Sequence, residues 1–140
     1  MTQARNPLVG IVVVSHSRSL AEGVVELASQ MAGGEVRLIP VGGTSDGGLG
    51  TDADGIAAAL RAADADAGVL VLADLGSAIL ATDIAIEALE PERARRVRIS
   101  GGPLVEGAVV AAVQASIGQS LDEVLGAAEE AAHLDKGVSR

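Results

Sequence analysis

The apolar positions fall into four short runs separated by longer amphipathic stretches, and this alternation predicts the elements. Residues 8–14, Leu-Val-Gly-Ile-Val-Val-Val, make a continuous and largely β-branched run, the kind buried on both faces of a parallel sheet. After a short polar loop, Ser19 stands three residues before Glu22 in a capping-box pattern. It opens a helix over residues 20–31, with Leu20, Val24, Leu27, Ala28 and Met31 at helical spacing and Gly33-Gly34 as the stop. Residues 35–41 alternate well enough for a second strand. Thr51 or Asp52 caps a helix to about Ala63, and residues 68–73 make a third, central strand with Asp74 at its carboxyl end. A helix over residues 77–89 ends before Pro91. Residues 96–100 read as a fourth strand, residues 104–116 as a helix, and a last helix begins near Ser120.

Strands alternating with helices predict a three-layer α/β fold around a doubly wound, mainly parallel sheet of order 2-1-3-4, with right-handed crossovers. No linker or internal repeat divides the chain, so residues 1–140 are expected to form a single domain. The stretch from Gly42 to Gly50 reads as a loop too rich in glycine to hold a fixed shape alone.

Composition narrows the chemistry. Ten Lys and Arg against 19 Asp and Glu give the 140-residue chain a formal net charge of −9, which argues against contacts to nucleic-acid phosphates. A hydrophobic share of 49% is too high for a disordered chain. Phe, Trp and Tyr are absent, so the core must come from Val, Leu, Ile, Ala and Met, and no aromatic platform exists for stacking a base or sugar. Cysteine is absent too, which removes thiolate nucleophiles, iron–sulfur clusters and zinc-thiolate sites and leaves the redox compartment undetermined. Residues 8–14 follow Arg5 in the manner of a signal peptide, but the run stops at Ser15-His16-Ser17-Arg18 without a small-residue cleavage site. The other apolar runs fall far short of the roughly 20 residues a spanning helix needs. The expectation is a soluble, cytoplasmic protein without membrane insertion.

Ligands in open α/β sheets bind beyond the carboxyl ends of strands where the strand order reverses. In a 2-1-3-4 sheet that point lies between strands one and three, whose ends carry Ser15-His16-Ser17 and Asp74-Leu75-Gly76-Ser77. A histidine and a carboxylate should therefore meet there. A carboxylate accepting from one ring nitrogen turns the other nitrogen's lone pair outward and stabilises positive charge if the ring is phosphorylated. Backbone amides at the helix starts after Ser17 and Gly76 suit phosphoryl oxygens. Alternatives stay open: His16 as a loop residue that caps a turn, and Asp74 as a helix cap ahead of Ser77. His133, in the polar final stretch, is expected to be solvated and passive. Asp52 with Asp54, and Asp64 with Asp66, lie at helix ends and are expected to face solvent without holding a metal. No lysine follows the glycine loop, so it is not a nucleotide P-loop, and no dinucleotide glycine pattern follows strand one.

Three segments resemble a known family in matching order: Val12-Val13-Val14-Ser15-His16-Ser17, then Val69-Leu70-Val71-Leu72-Ala73-Asp74-Leu75-Gly76-Ser77-Ala78, then Pro103-Leu104-Val105-Glu106-Gly107-Ala108. They are similar to the phosphotransferase (EIIA) subunit of the phosphoenolpyruvate-dependent dihydroxyacetone kinase, in the mannose-type enzyme IIA family, over about residues 8–125. Sugar-transporter members commonly have Thr-Trp-Gly-Gly-Ser after the aspartate. Leu75-Gly76-Ser77 here favours the kinase branch. The resemblance implies a phosphohistidine carrier: His16 as phosphoacceptor, Asp74 as the residue that orients it, and Ser15, Ser17, Gly76 and Ser77 around the phosphate, with no metal or cofactor. It also implies a homodimer, the phosphocarrier HPr as donor, and ADP on the nucleotide-binding subunit of the kinase as acceptor. A chain ending at Arg140 is expected to depend on separate donors. A sugar-transporter subunit and a non-catalytic flavodoxin-like binding module are the competing readings.

Overall fold

The computed structural model describes residues 8–138. Its elements follow the predicted alternation: β1 (Gly10–Ser15), α1 (Arg18–Ala32), β2 (Leu38–Gly42), α2 (Ala53–Ala63), β3 (Val69–Ala73), α3 (Gly76–Glu87), α4 (Pro91–Ala94), β4 (Val97–Ser100), α5 (Leu104–Ser116) and α6 (Leu121–Glu130), with a single 3₁₀ turn at Ala131–His133. The four strands pair in the order β2-β1-β3-β4, all parallel. The fold is α/β and three-layered, as expected.

Because both faces of the sheet are covered, successive residues of one strand serve different cores. Ile11 and Val13 of β1 and Leu70 and Leu72 of β3 face α1, α5 and α6, while Val12 and Val14 with Val69 and Val71 face α2 and α3. Without aromatic side chains, the helices fill their contacts with small residues and lie close to the sheet and to one another. On α5, Ala108, Ala111, Ala112 and Ala115 are buried, and a Cβ on Gly107 would come within 2.8 Å of Leu72 Cδ2. The crowding leaves no room for a larger residue.

Several boundaries differ from the sequence expectation, each for a local reason. The cap of α1 is Ser17, whose hydroxyl accepts from the Leu20 amide at 3.2 Å, so the Ser19–Glu22 pattern does not start the helix. Pro91 does more than end a helix: it sits at the first position of the short α4, where its missing N–H costs nothing. Residues 42–50 hold a definite shape. The Thr44 amide donates to the Gly48 carbonyl at 2.9 Å, the Gly47 amide to the Thr44 carbonyl at 3.0 Å, and Asp46 accepts from the Thr44 hydroxyl and the Gly48 amide. Asp64 does not face open solvent, because Arg96 clamps it with two hydrogen bonds of 3.2 and 2.8 Å and Arg93 stands 3.4 Å away. Asp52 caps α2 by accepting from the Asp54 amide. Arg5 lies outside the described residues. No helix among those described is long and apolar enough to cross a membrane.

Candidate functional site

Parallel pairing of β1 with both β2 and β3 brings the carboxyl end of β1 to the middle of one sheet edge. Val14 pairs with Ala73, and the Asp74 amide continues the ladder by donating to the Val14 carbonyl at 3.2 Å. Asp74 therefore arrives beside the turn 15–17. Its carboxylate accepts four hydrogen bonds: from the Ser15 hydroxyl and the His16 amide at Oδ2, both 2.9 Å, and from His16 Nδ1 at 2.9 Å and the Leu75 amide at 2.8 Å at Oδ1. The two side chains keep 14% (Asp74) and 26% (His16) of their surface exposed. Burial works against ionising Asp74, but the bonds from the His16 amide, the imidazole and the Ser15 hydroxyl outweigh it and hold the carboxyl below its usual value.

An ionised carboxylate can only accept, so Nδ1 carries the ring proton. Nε2 then presents a lone pair. It faces the Ser77 hydroxyl at 2.6 Å, and that hydroxyl donates to it. The histidine is held neutral, in one tautomer, with its basic nitrogen toward the open side of the site. Nδ1 is occupied and Nε2 is the atom free to react.

The other expected residues divide. Gly76 and Ser77 are the first two residues of α3; Leu75 caps that helix without a side-chain bond, and the amides of Ala78 and Ile79 go to the Leu75 carbonyl. That leaves the amides of Gly76 and Ser77 pointing outward at the positive end of the helix, beside Nε2. Ser17 stands across the turn, with its hydroxyl oxygen accepting the helix-capping bond from Leu20. Ser15 differs from the expectation. It is fully buried, its one proton goes to Asp74, and its oxygen accepts from the Ser17 amide at 3.0 Å, so it braces the carboxylate from below instead of facing a phosphate. Asp74 is not the cap of α3, since Leu75 holds that position. His133 is exposed in the 3₁₀ turn after α6.

Two further contributors lie in the glycine loop. The Gly50 amide donates to the His16 carbonyl at 2.9 Å, and a Cβ on Gly42 would stand 2.8 Å from the carbonyl oxygens of both Ser15 and Ser17. Only glycine lets β2 end this close to the phosphoacceptor turn. Composition hides this, because seven loop glycines look alike until pairing shows which one touches the site; the Thr44-x-Asp46 turn was the available signal for an ordered loop. A neighbouring cavity of about 130 Å³ is lined by Arg18, Glu22, Pro40, Val41 and Gly42 and does not include His16. The reactive nitrogen sits on an open surface, suited to approach by another macromolecule.

Residues 10–125 match the family described as EIIA-man, PTS system fructose IIA component. The phosphoryl donor subunit DhaM of PEP-dependent dihydroxyacetone kinase 2 from Listeria innocua is 40% identical over 118 residues, covering 84% of this chain and 94% of that protein. The corresponding DhaM of Escherichia coli is 43% identical over 122 residues, and there the chain spans 26% of the relative's length. Among solved structures, a protein of unknown function superposes with a TM-score of 0.82 at 37% identity, covering 94% of this chain and 99% of that one. The dihydroxyacetone kinase of C. freundii in its native form shares the fold alone, with a TM-score of 0.61 at 20% identity over 91% of this chain and 25% of that one. With all four strands, His16 and Asp74 inside the matched residues, the chain belongs to the mannose-type enzyme IIA (EIIA-man) family.

Proposed function

We propose that the chain is a phosphohistidine carrier that takes a phosphoryl group from HPr onto Nε2 of His16 and passes it to ADP bound on the nucleotide subunit of a dihydroxyacetone kinase. The observation that carries the reading is the paired orientation of His16: Nδ1 donates to an ionised Asp74, and Nε2 faces outward beside two free helix amides. The printed function of the relatives, phosphoryl donor subunit of PEP-dependent dihydroxyacetone kinase, supports the kinase as the destination. Leu75-Gly76-Ser77 supports it over a sugar transporter. We read the chain as one phosphocarrier domain that works in the cytoplasm as a homodimer.

In the first half-reaction the Nε2 lone pair attacks the phosphorus of the donor phosphohistidine. The donor's P–N bond breaks and its electron pair returns to the donor ring. His16 becomes an N-phosphorylated imidazolium with Nδ1–H still on Asp74, whose negative charge offsets the new positive one. The Ser77 hydroxyl is released from Nε2 and donates to a phosphoryl oxygen, beside the amides of Gly76 and Ser77. In the second half-reaction an oxygen of the ADP β-phosphate attacks the same phosphorus in line, and the electron pair returns to Nε2. Phosphoryl transfer has a loose transition state, so the protein's share is alignment and dipoles, and the step asks no cofactor of this chain.

The test is a relay experiment. The chain is loaded with phosphoenolpyruvate, enzyme I and HPr, separated, and mixed either with an ADP-loaded kinase nucleotide subunit or with a sugar-transporter IIB subunit, while acid-labile phosphate is followed. Rapid discharge to ADP and slow discharge to IIB is expected. The reverse order moves the chain to the transporter branch, and failure to load removes the carrier reading.

A further inference from the structure

Helix α3 has apolar side chains around most of its circumference, with Ile79, Leu80, Ala81, Ile84, Ala85 and Ile86 in sequence, yet its main packing partners are α2 and strands β1 and β3 on one side only. Leu80 and Ile84, one turn apart, keep 65% and 59% of their surface exposed, and Leu75 just before the helix keeps 61%. Helical spacing puts Ser77, Leu80 and Ile84 on one face. The Ser77 hydroxyl is the one in contact with His16 Nε2, so the apolar stripe begins at the reactive atom and runs away from it. Asp83 and Glu87 border the stripe, both exposed and without an ion-pair or hydrogen-bond partner among the described residues. Exposed apolar side chains that line up beside a reactive atom mark a contact surface.

We propose that Leu75, Leu80 and Ile84 form the docking stripe for the proteins that exchange the phosphoryl group with His16, each presenting an apolar ridge bordered by cations that meet Asp83 and Glu87. The proposal rests on the phosphocarrier reading. A second copy of this chain fits the stripe poorly, because a twofold contact there would oppose Asp83 and Glu87 with their own equivalents and cover His16. A transfer partner must cover the start of the stripe in any case, since its reacting atom has to reach Nε2 in line.

The test compares wild type with Leu80→Gln/Ile84→Gln, which removes apolar surface while keeping good helix formers, and with Asp83→Lys, which reverses one bordering charge. Loading from phosphorylated HPr and discharge to an ADP-loaded nucleotide subunit are timed in single-turnover mixing, with phosphoramidate, a small donor that needs no docking, as a third arm. Melting curves and oligomeric state are recorded for each variant. The expected result is that the double variant slows at least one protein-to-protein step by about tenfold or more, while phosphoramidate loading and melting stay near wild type. Asp83→Lys slows the same step at low salt and loses the difference at high salt. If wild type loads from HPr and both variants match it within about twofold in both protein steps, the docking stripe is refuted and the carrier reading stands. A double variant that loses its oligomeric state assigns the stripe to a second copy and also refutes the proposal. If wild type cannot be loaded by HPr, the carrier reading itself falls.

Discussion

At the scale of single residues the site depends on a carboxylate with four donors around it. In Asp74→Asn, one of the two oxygens becomes an NH₂ that faces two donors in place of accepting from them. If that NH₂ faces the ring, Nδ1 must accept, the proton moves to Nε2, and the nucleophilic lone pair is lost. The expected loss in transfer rate is one to three powers of ten, about 1.4–4 kcal/mol, with the acceptor still present; single-turnover loading from HPr measures it, and a rate within twofold of wild type reduces Asp74 to a structural residue. The same bonds make a pH prediction. A folded-state value below the unfolded one, about 3.9 for aspartate, means the stabilisation is fully present above that value and is lost as pH falls through the folded one. Acid denaturation followed by circular dichroism should therefore be steeper below pH ~4 for wild type than for Asp74→Asn. His133→Ala, on an exposed turn outside the site, should load as wild type does, whereas His16→Ala takes up no phosphate.

At the scale of elements, the turn 15–17 is fixed from both sides, by β3 through Asp74 and by β2 through Gly42. Gly42→Ala drives a Cβ to 2.8 Å from two carbonyl oxygens, and neither can retreat without moving Ser15 or the cap of α1. The expected cost is about 1–3 kcal/mol of stability together with slower loading of His16. Gly23→Ala is the contrast. Gly23 lies inside α1 with nothing within 4 Å of a new Cβ, so the exchange should raise stability by about 0.5–1 kcal/mol and leave loading unchanged. Thermal melts of the two variants side by side check both signs. These two glycines also mark how far the sequence could be read. Strand runs, helix periods, the order 2-1-3-4 and the meeting of His16 with Asp74 follow from local patterns plus a topological rule, because a parallel sheet buried on both faces leaves few alternatives. Which glycine touches the phosphoacceptor turn, that Ser17 and not Ser19 caps α1, and that Ser15 points inward depend on register between strands distant in sequence. No window along the chain contains that register.

At the scale of the whole molecule, the architecture separates scaffold from chemistry. Two aliphatic cores hold four parallel strands, and everything reactive stands at one edge of the sheet, on an open surface. Such a surface suits a relay that two partners visit in turn, and it offers no enclosed pocket at His16 for a nucleotide or a triose. The chain alone should accordingly neither bind ATP in calorimetry nor phosphorylate dihydroxyacetone; detectable turnover without a nucleotide subunit would contradict the relay. The central claim is narrower, that Nε2 of His16 is the phosphorylated atom. It is tested most directly by incubating the chain with phosphoenolpyruvate, enzyme I and HPr, counting acid-labile phosphates by intact mass, and assigning the modified nitrogen by phosphorus and nitrogen NMR. The account predicts one phosphate per chain, bonded to Nε2 of His16 with Nδ1 still protonated, whereas phosphate on Nδ1, on His133, or on no histidine at all would contradict it.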